Sequence, residues 1–159
     1  MKLLIVVAFA VGSVPAAAAF LPGSVPAAPV CPNTGLANVP VTFVTAKGRK
    51  AYTVERAASP AEQECGLMYR KKMPRHVGMI FPFDPPRPAT FWMENTVLAL
   101  DLVFVDPDNR VLSIAQGKPF SRDILDSRGV AAAVVELNLG EAKRIGLKPG
   151  DKVEVGTQP

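Results

Sequence analysis

Apolar positions along this chain change their period several times, and each change marks an element. Val39 to Thr45 and Ala51 to Arg56 are short β-branched runs separated by Lys47, Gly48 and Arg49. That pattern predicts two strands joined by a tight turn. Ser59-Pro60-Ala61-Glu62 then carries a helix start: a capping hydroxyl, a proline at the first helical position, and a glutamate three residues after the cap. The helix is expected to run to about Tyr69, burying Ala61, Cys65 and Met68 with Leu67 beside them.

Gly78 to Phe83 and Ala89 to Glu94 read as strands around Asp84-Pro85-Pro86-Arg87-Pro88, whose three prolines lack N–H donors and so exclude helix and central strand. Leu102 to Val105 and Val111 to Ala115 flank Asp106-Pro107-Asp108-Asn109. There proline presets the turn and asparagine tolerates a left-handed backbone, which predicts a hairpin. Gly117 to Gly129 reads as a polar loop and Ala132 to Leu137 as a strand. Asn138 and Glu141 repeat the cap spacing, Gly146 can end a short helix, and Pro149-Gly150 turns into a closing strand, Lys152 to Val155. So little helix between strands excludes a doubly wound α/β sheet. The expected fold is α+β and mostly β: a curled antiparallel or mixed sheet approaching a partly open barrel, with two short helices, in one domain over residues 38–156.

Composition agrees with one core: 159 residues, 48% of them hydrophobic. Residues 1–19 add a compartment. Lys2, an apolar run from Leu3 to Val11, then Gly12, Pro15 and Ala17 to Ala19 stand in the order of a secretory signal with cleavage near Ala19. The apolar run is far shorter than the ~20 residues that cross a bilayer, so no transmembrane segment is expected after cleavage. Residues 20–37 are rich in proline and alanine and read as a spacer. The chain is therefore expected in the periplasm or outside the cell. In that compartment Cys31 and Cys65 either bridge or stay as two free thiols. The net charge of +4 gathers at Arg70, Lys71, Lys72 and Arg75, with His76 beside them. Such a patch could meet anionic lipid, glycan or phosphate, or simply be a solvated basic turn closing the helix. Nucleic acid is not an expected partner of an exported protein.

Four segments follow in order between Gly66 and Asp106: Gly66-Leu67-Met68-Tyr69-Arg70, Gly78-Met79-Ile80-Phe81, Phe91-Trp92-Met93-Glu94-Asn95-Thr96, and Leu100 through Asp106. Together with Glu136, Gly140, Gly150 and Asp151, this succession resembles the domain-of-unknown-function 192 family from about Val41 onward. Two positions depart from it: Glu94 stands where the family usually carries a basic residue, and Ala99 replaces a common proline. The resemblance implies a small exported or periplasmic domain and supplies no activity.

Candidate chemistry has to come from the residues themselves. A single histidine, His76, excludes a histidine metal cage, and no metal or cofactor is implied. A Cys65–His76 dyad would need a fold-back that nothing in the sequence demands. Glu94, Asp101, Asp106 and Glu136 could supply a carboxylate pair for a small hydrolase acting on envelope material. Met68, Met73, Met79 and Met93, close to Cys65 and His76, could make a Cu(I) site or fill core gaps. What remains is a polar group interrupting apolar segments: Arg70, Asn95 and Asp101, with Trp92 beside them. Arg70, Asn95 and Asp101 are expected to converge, as a buried network or as a ligand pocket floored by the Trp92 indole. The leading reading is an exported non-enzymatic binding module for a small polar ligand, a cell-envelope glycan or a partner protein of the envelope. The hydrolase and the copper protein are its alternatives, and the oligomeric state is left open.

Overall fold

Strand-forming runs dominate the chain between residues 38 and 155, and in the computed structural model, which describes residues 31–157, they build one seven-stranded sheet. The expected signal segment, residues 1–19, and the spacer to residue 30 lie outside the described residues. The strands are β1 (Asn38–Thr45), β2 (Gly48–Arg56), β3 (Val77–Phe91), β4 (Leu100–Val105), β5 (Val111–Gly117), β6 (Leu125–Asn138) and β7 (Lys152–Val155). Two helices, α1 (Pro60–Cys65) and α2 (Glu141–Ile145), interrupt them. Spatial order is β5-β4-β6-β3-β2-β1-β7. All neighbours pair antiparallel except β2 and β3, which are parallel and joined through α1.

The sheet curls until its edges meet. Arg110 bridges Lys152, Val111 N–H donates to Asp151 O at 2.9 Å, and Val153 N–H donates to Asn109 O at 2.8 Å. The mostly β, partly closed barrel expected from the sequence is thus the observed fold. Apolar side chains from all seven strands and α2, among them Val41, Phe43, Val54, Ile80, Val135 and Val153, fill the inside of the curl. The opposite face carries a second core, with Leu67, Met79, Phe81, Met93, Leu102 and Phe104. Pleating assigns successive residues of each strand to these two cores in turn.

Local signals hold where local chemistry decides them. Ser59 caps α1 by accepting from Glu62 N–H, and Glu62 reaches back to Ser59 N–H. Asn109, at φ 58°, takes the left-handed position in the β4–β5 turn, where Asp106 Oδ1 accepts from Asp108 and Arg110 N–H. Gly146, also left-handed, ends α2.

Four expectations are corrected. Helix α1 stops at Cys65 rather than Tyr69, because Gly66 (φ 47°) and Tyr69 (φ 62°) leave helical geometry, and Ala61 is exposed instead of buried. The proline segment does not split a strand in two. β3 runs continuously to Phe91, and its register breaks between Pro82 and Arg87 and again between Pro88 and Thr90, so Pro85 and Pro86 sit in a bulge that needs no ladder donors and Pro88 stands opposite Val130 beside a second irregularity. Met93 and Glu94 lie beyond its end. Residues 125–129 belong to β6 and are not loop. Asn138 does not cap α2, whose N-cap is Gly140; its amide donates instead to Met73 O at 3.0 Å.

Residues 31–37, expected as the end of the spacer, are tied to the domain. Cys31 and Cys65 form a disulfide with Cα atoms 5.7 Å apart. Asn33 is buried, and its amide donates to Glu62 O at 2.9 Å and Gly66 O at 3.0 Å, satisfying carbonyls that the short helix leaves open.

Candidate functional site

A cleft of about 660 Å³ opens on the outer face of the sheet. One wall is the end of α1 with the turn Gly66 to Tyr69; the other is the second half of β3 with the segment Trp92 to Thr96. The walls are joined by Tyr69 N–H, which donates to Asn95 O at 2.9 Å, and both residues take the left-handed backbone this close crossing needs. Phe120 N–H on Thr96 O and Met93 N–H on Ser121 O brace the second wall from behind. Phe91 packs edge-on against Phe81 at 5.2 Å and Phe104 at 6.1 Å, giving the cleft a rigid aromatic lining.

Glu136 lies at the floor. In β6 it stands opposite Met79 of β3 and Leu102 of β4, and Met79 in turn stands opposite Glu55 of β2. Residues directly opposite share a face, so this row points away from the barrel interior and toward the cleft. Close approach of β3 to β6 here depends on Gly78: a Cβ there would collide with the Glu136 carbonyl oxygen and lie 3.0 Å from Leu137 Cδ2. Glu136 is 5% exposed, and among the described residues its carboxyl makes no hydrogen bond and no ion pair. Burial alone pushes its pKa up to about 8, so near neutral pH it is mostly a protonated, neutral acid.

The three residues expected to converge, Arg70, Asn95 and Asp101, and the Trp92 beside them are divided by the sheet. Trp92, 48% exposed, and Asn95 line the cleft. Arg70 does not meet Asp101. Its Nη2 lies 2.5 Å from Glu55 Oε2 and donates to Asn33 O at 2.8 Å. That Glu55 oxygen is enclosed without an aligned hydrogen-bond donor, so the charge of the guanidinium is what compensates it. Asp101 stands on the interior face, 1% exposed, accepting from Ala142 N–H at 2.9 Å and Gln116 Nε2 at 3.4 Å. It holds the first turn of α2 and takes no part in the cleft. The expectation failed because each charge found a nearer partner than the other.

The other candidates resolve in the same way. Met73, Met79 and Met93 pack together in the outer core, Cys65 is in the disulfide and so offers no free thiol to a Cys65–His76 dyad, and His76 packs against Tyr52 with ring centroids 5.3 Å apart. Of the lysine and arginine patch, Arg70 is ion-paired while Lys71, Lys72, Arg75 and His76 are exposed in a segment that does not end a helix. Asp106 serves its turn. Glu94 does line the cleft, and Arg122 meets it at 2.5 Å. Glu136 drew attention in the sequence as one carboxylate among several and as one residue of the family pattern. The stronger signal was its place inside the apolar run Ala131 to Leu137, the same criterion that singled out Asp101.

Comparison with known proteins agrees with the fold. The family model DUF192, described as an uncharacterized ACR, matches residues 42–155. The chain is 48% identical to a protein of unknown function from Novosphingobium aromaticivorans DSM 12444, with a TM-score of 0.75 over 79% of this chain and 90% of that one. It is 41% identical to a candidate transcription regulator from Sinorhizobium meliloti 1021, with a TM-score of 0.74 over 78% of this chain and 98% of that one. A search of curated proteins gives no match.

A buried acid whose pKa is raised binds its proton more tightly folded than unfolded. Its contribution to stability is therefore full below the ordinary value of 4.5 and is lost as pH rises through about 8. Glu136→Gln should remove this dependence. Between about pH 5 and about pH 8 the wild-type chain should lose roughly 2 to 4 kcal/mol relative to the variant. Denaturant unfolding of both proteins at the two pH values measures it, and parallel curves would show that Glu136 is not a buried neutral acid.

Proposed function

Because the chain belongs to the DUF192 family, an uncharacterised one, its role has to be read from its own cleft, and we propose that it is an exported binding module for a small polar ligand. The carrying observation is Glu136: a carboxyl nine-tenths buried, without a hydrogen-bond or ion-pair partner among the described residues, at the floor of an aromatic-lined cleft. Leaving such a group unpaired costs stability, and a purely structural carboxyl would be expected to have a donor. Here Glu62, Asp101 and Glu141 all do. A ligand that enters the cleft and satisfies Glu136 recovers that loss as binding free energy.

Size and lining favour a small molecule over a protein surface or a long glycan. A volume of about 660 Å³ falls within the ~300–1,000 Å³ usual for small-ligand sites, which combine apolar walls with a few placed polar groups. Trp92 at the rim offers a flat apolar face with a polar edge. Export is supported by the order of charge, apolar run and small residues in positions 1–19 and by the Cys31–Cys65 disulfide, a bond that persists in oxidising compartments.

Trp92 is the sole tryptophan, so its fluorescence reports the rim directly. In the free protein iodide should quench it. Titration with N-acetylglucosamine, diglycine and phenethylammonium should reveal at least one compound that protects it, with protection lost in Glu136→Gln. Protection by none of them would remove the binding reading. The export half is checked by the mass of protein recovered from the envelope fraction, which should begin near Phe20; an intact Met1 on cytoplasmic protein would contradict it.

A further inference from the structure

Among the described residues the cleft donors without a hydrogen bond, the Trp92 indole N–H, the Tyr69 and Thr90 hydroxyls and the Arg87 guanidinium, are exposed to solvent, and the deeper polar groups are engaged except for one carboxyl. Gln63 spends its amide N–H groups on Ala57 O and Pro82 O, at 3.3 and 2.9 Å. Thr96 Oγ1 donates to Glu94 O at 3.3 Å. Asn95 turns its Nδ2 toward Met68 Sδ, 3.9 Å away, which leaves its amide oxygen available. The three nearby guanidinium groups have places: Arg122 is on Glu94, Arg70 is on Glu55, and Arg87 lies over the Phe83 ring, 4.4 Å from its centroid. Against this, the carboxyl of Glu136 at the floor and the exposed carboxylate of Glu64 on the α1 wall have no partner among the described residues. A ligand complementary to this arrangement brings donors and positive charge.

The surroundings of the floor carboxyl point the same way. Tyr69, Phe91 and Trp92 line the cleft, and aromatic faces attract a cation as well as apolar surface. We propose that the cleft takes a small organic ammonium ion, its apolar body against Phe81, Phe91 and Trp92 and its cationic head on the Glu136 carboxylate. This inference rests on the binding-cleft reading and narrows it to one ligand class.

Binding then carries a proton balance. In the free protein Glu136 holds its proton because burial disfavours the charge. As the ammonium head arrives, the carboxylic O–H ionises, the proton leaves to solvent, and a buried ion pair replaces a buried acid. Charged and titratable groups near this event are Glu55 with Arg70 from β2 and the segment after α1, Glu64 from α1, Tyr69 from the turn, Arg87 from β3, and Glu94 with Arg122 at the rim. Glu55 and Glu94 are ion-paired, Glu64, Tyr69 and Arg87 are exposed to solvent, and Glu136 is the enclosed carboxyl at the floor, so it is the group whose proton count changes. Affinity should rise with pH, by at most about tenfold per unit, and level off near the midpoint of the free acid.

Calorimetric titration of the full chain with phenethylammonium, phenethyl alcohol and 3-phenylpropionate tests this, at about pH 6 and about pH 7 and in two buffers of different ionisation heat. The ammonium compound should bind at least about tenfold tighter than the alcohol, tighten toward the higher pH, and release close to one proton. Glu136→Gln should keep its fold by circular dichroism and lose both the preference and the proton release. If the alcohol or the carboxylate binds as well as the ammonium, the cationic ligand class is wrong while a binding cleft stands. If none of the three binds, the ammonium inference falls, and the Trp92 titration with a sugar and a dipeptide then decides the binding reading separately.

Discussion

Strand β6 is hydrogen-bonded along both edges, to β3 and to β4, so its side chains have no freedom in choosing a face. Pleating sends Val135 and Leu137 into the barrel, and by the same geometry it sends Glu136 outward into the second core, between Met79 and Leu102. A one-residue slip would move the carboxyl into the barrel and two apolar residues out of it, so the register is tightly held. The cleft follows from this placement. Without it the carboxyl would be sealed in hydrocarbon; with it the group faces a space that water or a ligand can enter.

Other buried or half-buried carboxylates of the domain show what a structural carboxyl looks like here. Glu141 accepts from Tyr52 OH at 2.8 Å and from Arg144 Nε at 3.0 Å, and the Arg144 guanidinium holds its pKa below the ordinary value. The same network, with burial as the larger cause, pushes the Tyr52 phenol up to about 12. Asp101 anchors α2, and Glu55 is compensated by Arg70. The protein therefore has donors at hand and uses them, which makes the lack of one at Glu136 among the described residues a property of the site. The strap of residues 31–36 serves the cleft indirectly: the disulfide and Asn33 fix the end of a six-residue helix that could not hold its place unaided.

What could be read from the sequence was what neighbouring residues decide. Capping at Ser59, the left-handed Asn109, the stop at Gly146 and the alternation of β1 and β2 all depend on residues within a few positions. Curling of the sheet followed from the number of short strands and the scarcity of helix. The rest was set across long separations. α1 ends early because Tyr69 has to meet Asn95, the prolines of β3 are tolerated because Ala131 and Ala133 pair around a bulge, and residues 125–129 become strand because β3 continues beside them. At the site, Trp92 and Asn95 were visible as polar or amphipathic breaks in apolar segments, whereas the partners of Arg70 and Asp101 were not. A charge in an apolar run announces that it needs compensation, but the fold chooses which group supplies it.

The chemistry of the cleft turns on the ionisation state of one carboxyl. Carbon-13 NMR of the glutamate side-chain carboxyl carbons, with Glu136 assigned by comparison with Glu136→Gln, follows that group alone through a pH titration. A midpoint near 8 is the expected result, displaced upward by burial from the ordinary 4.5. A midpoint near 4.5 would mean that Glu136 is solvated or paired, and the account of the cleft would be contradicted at its floor.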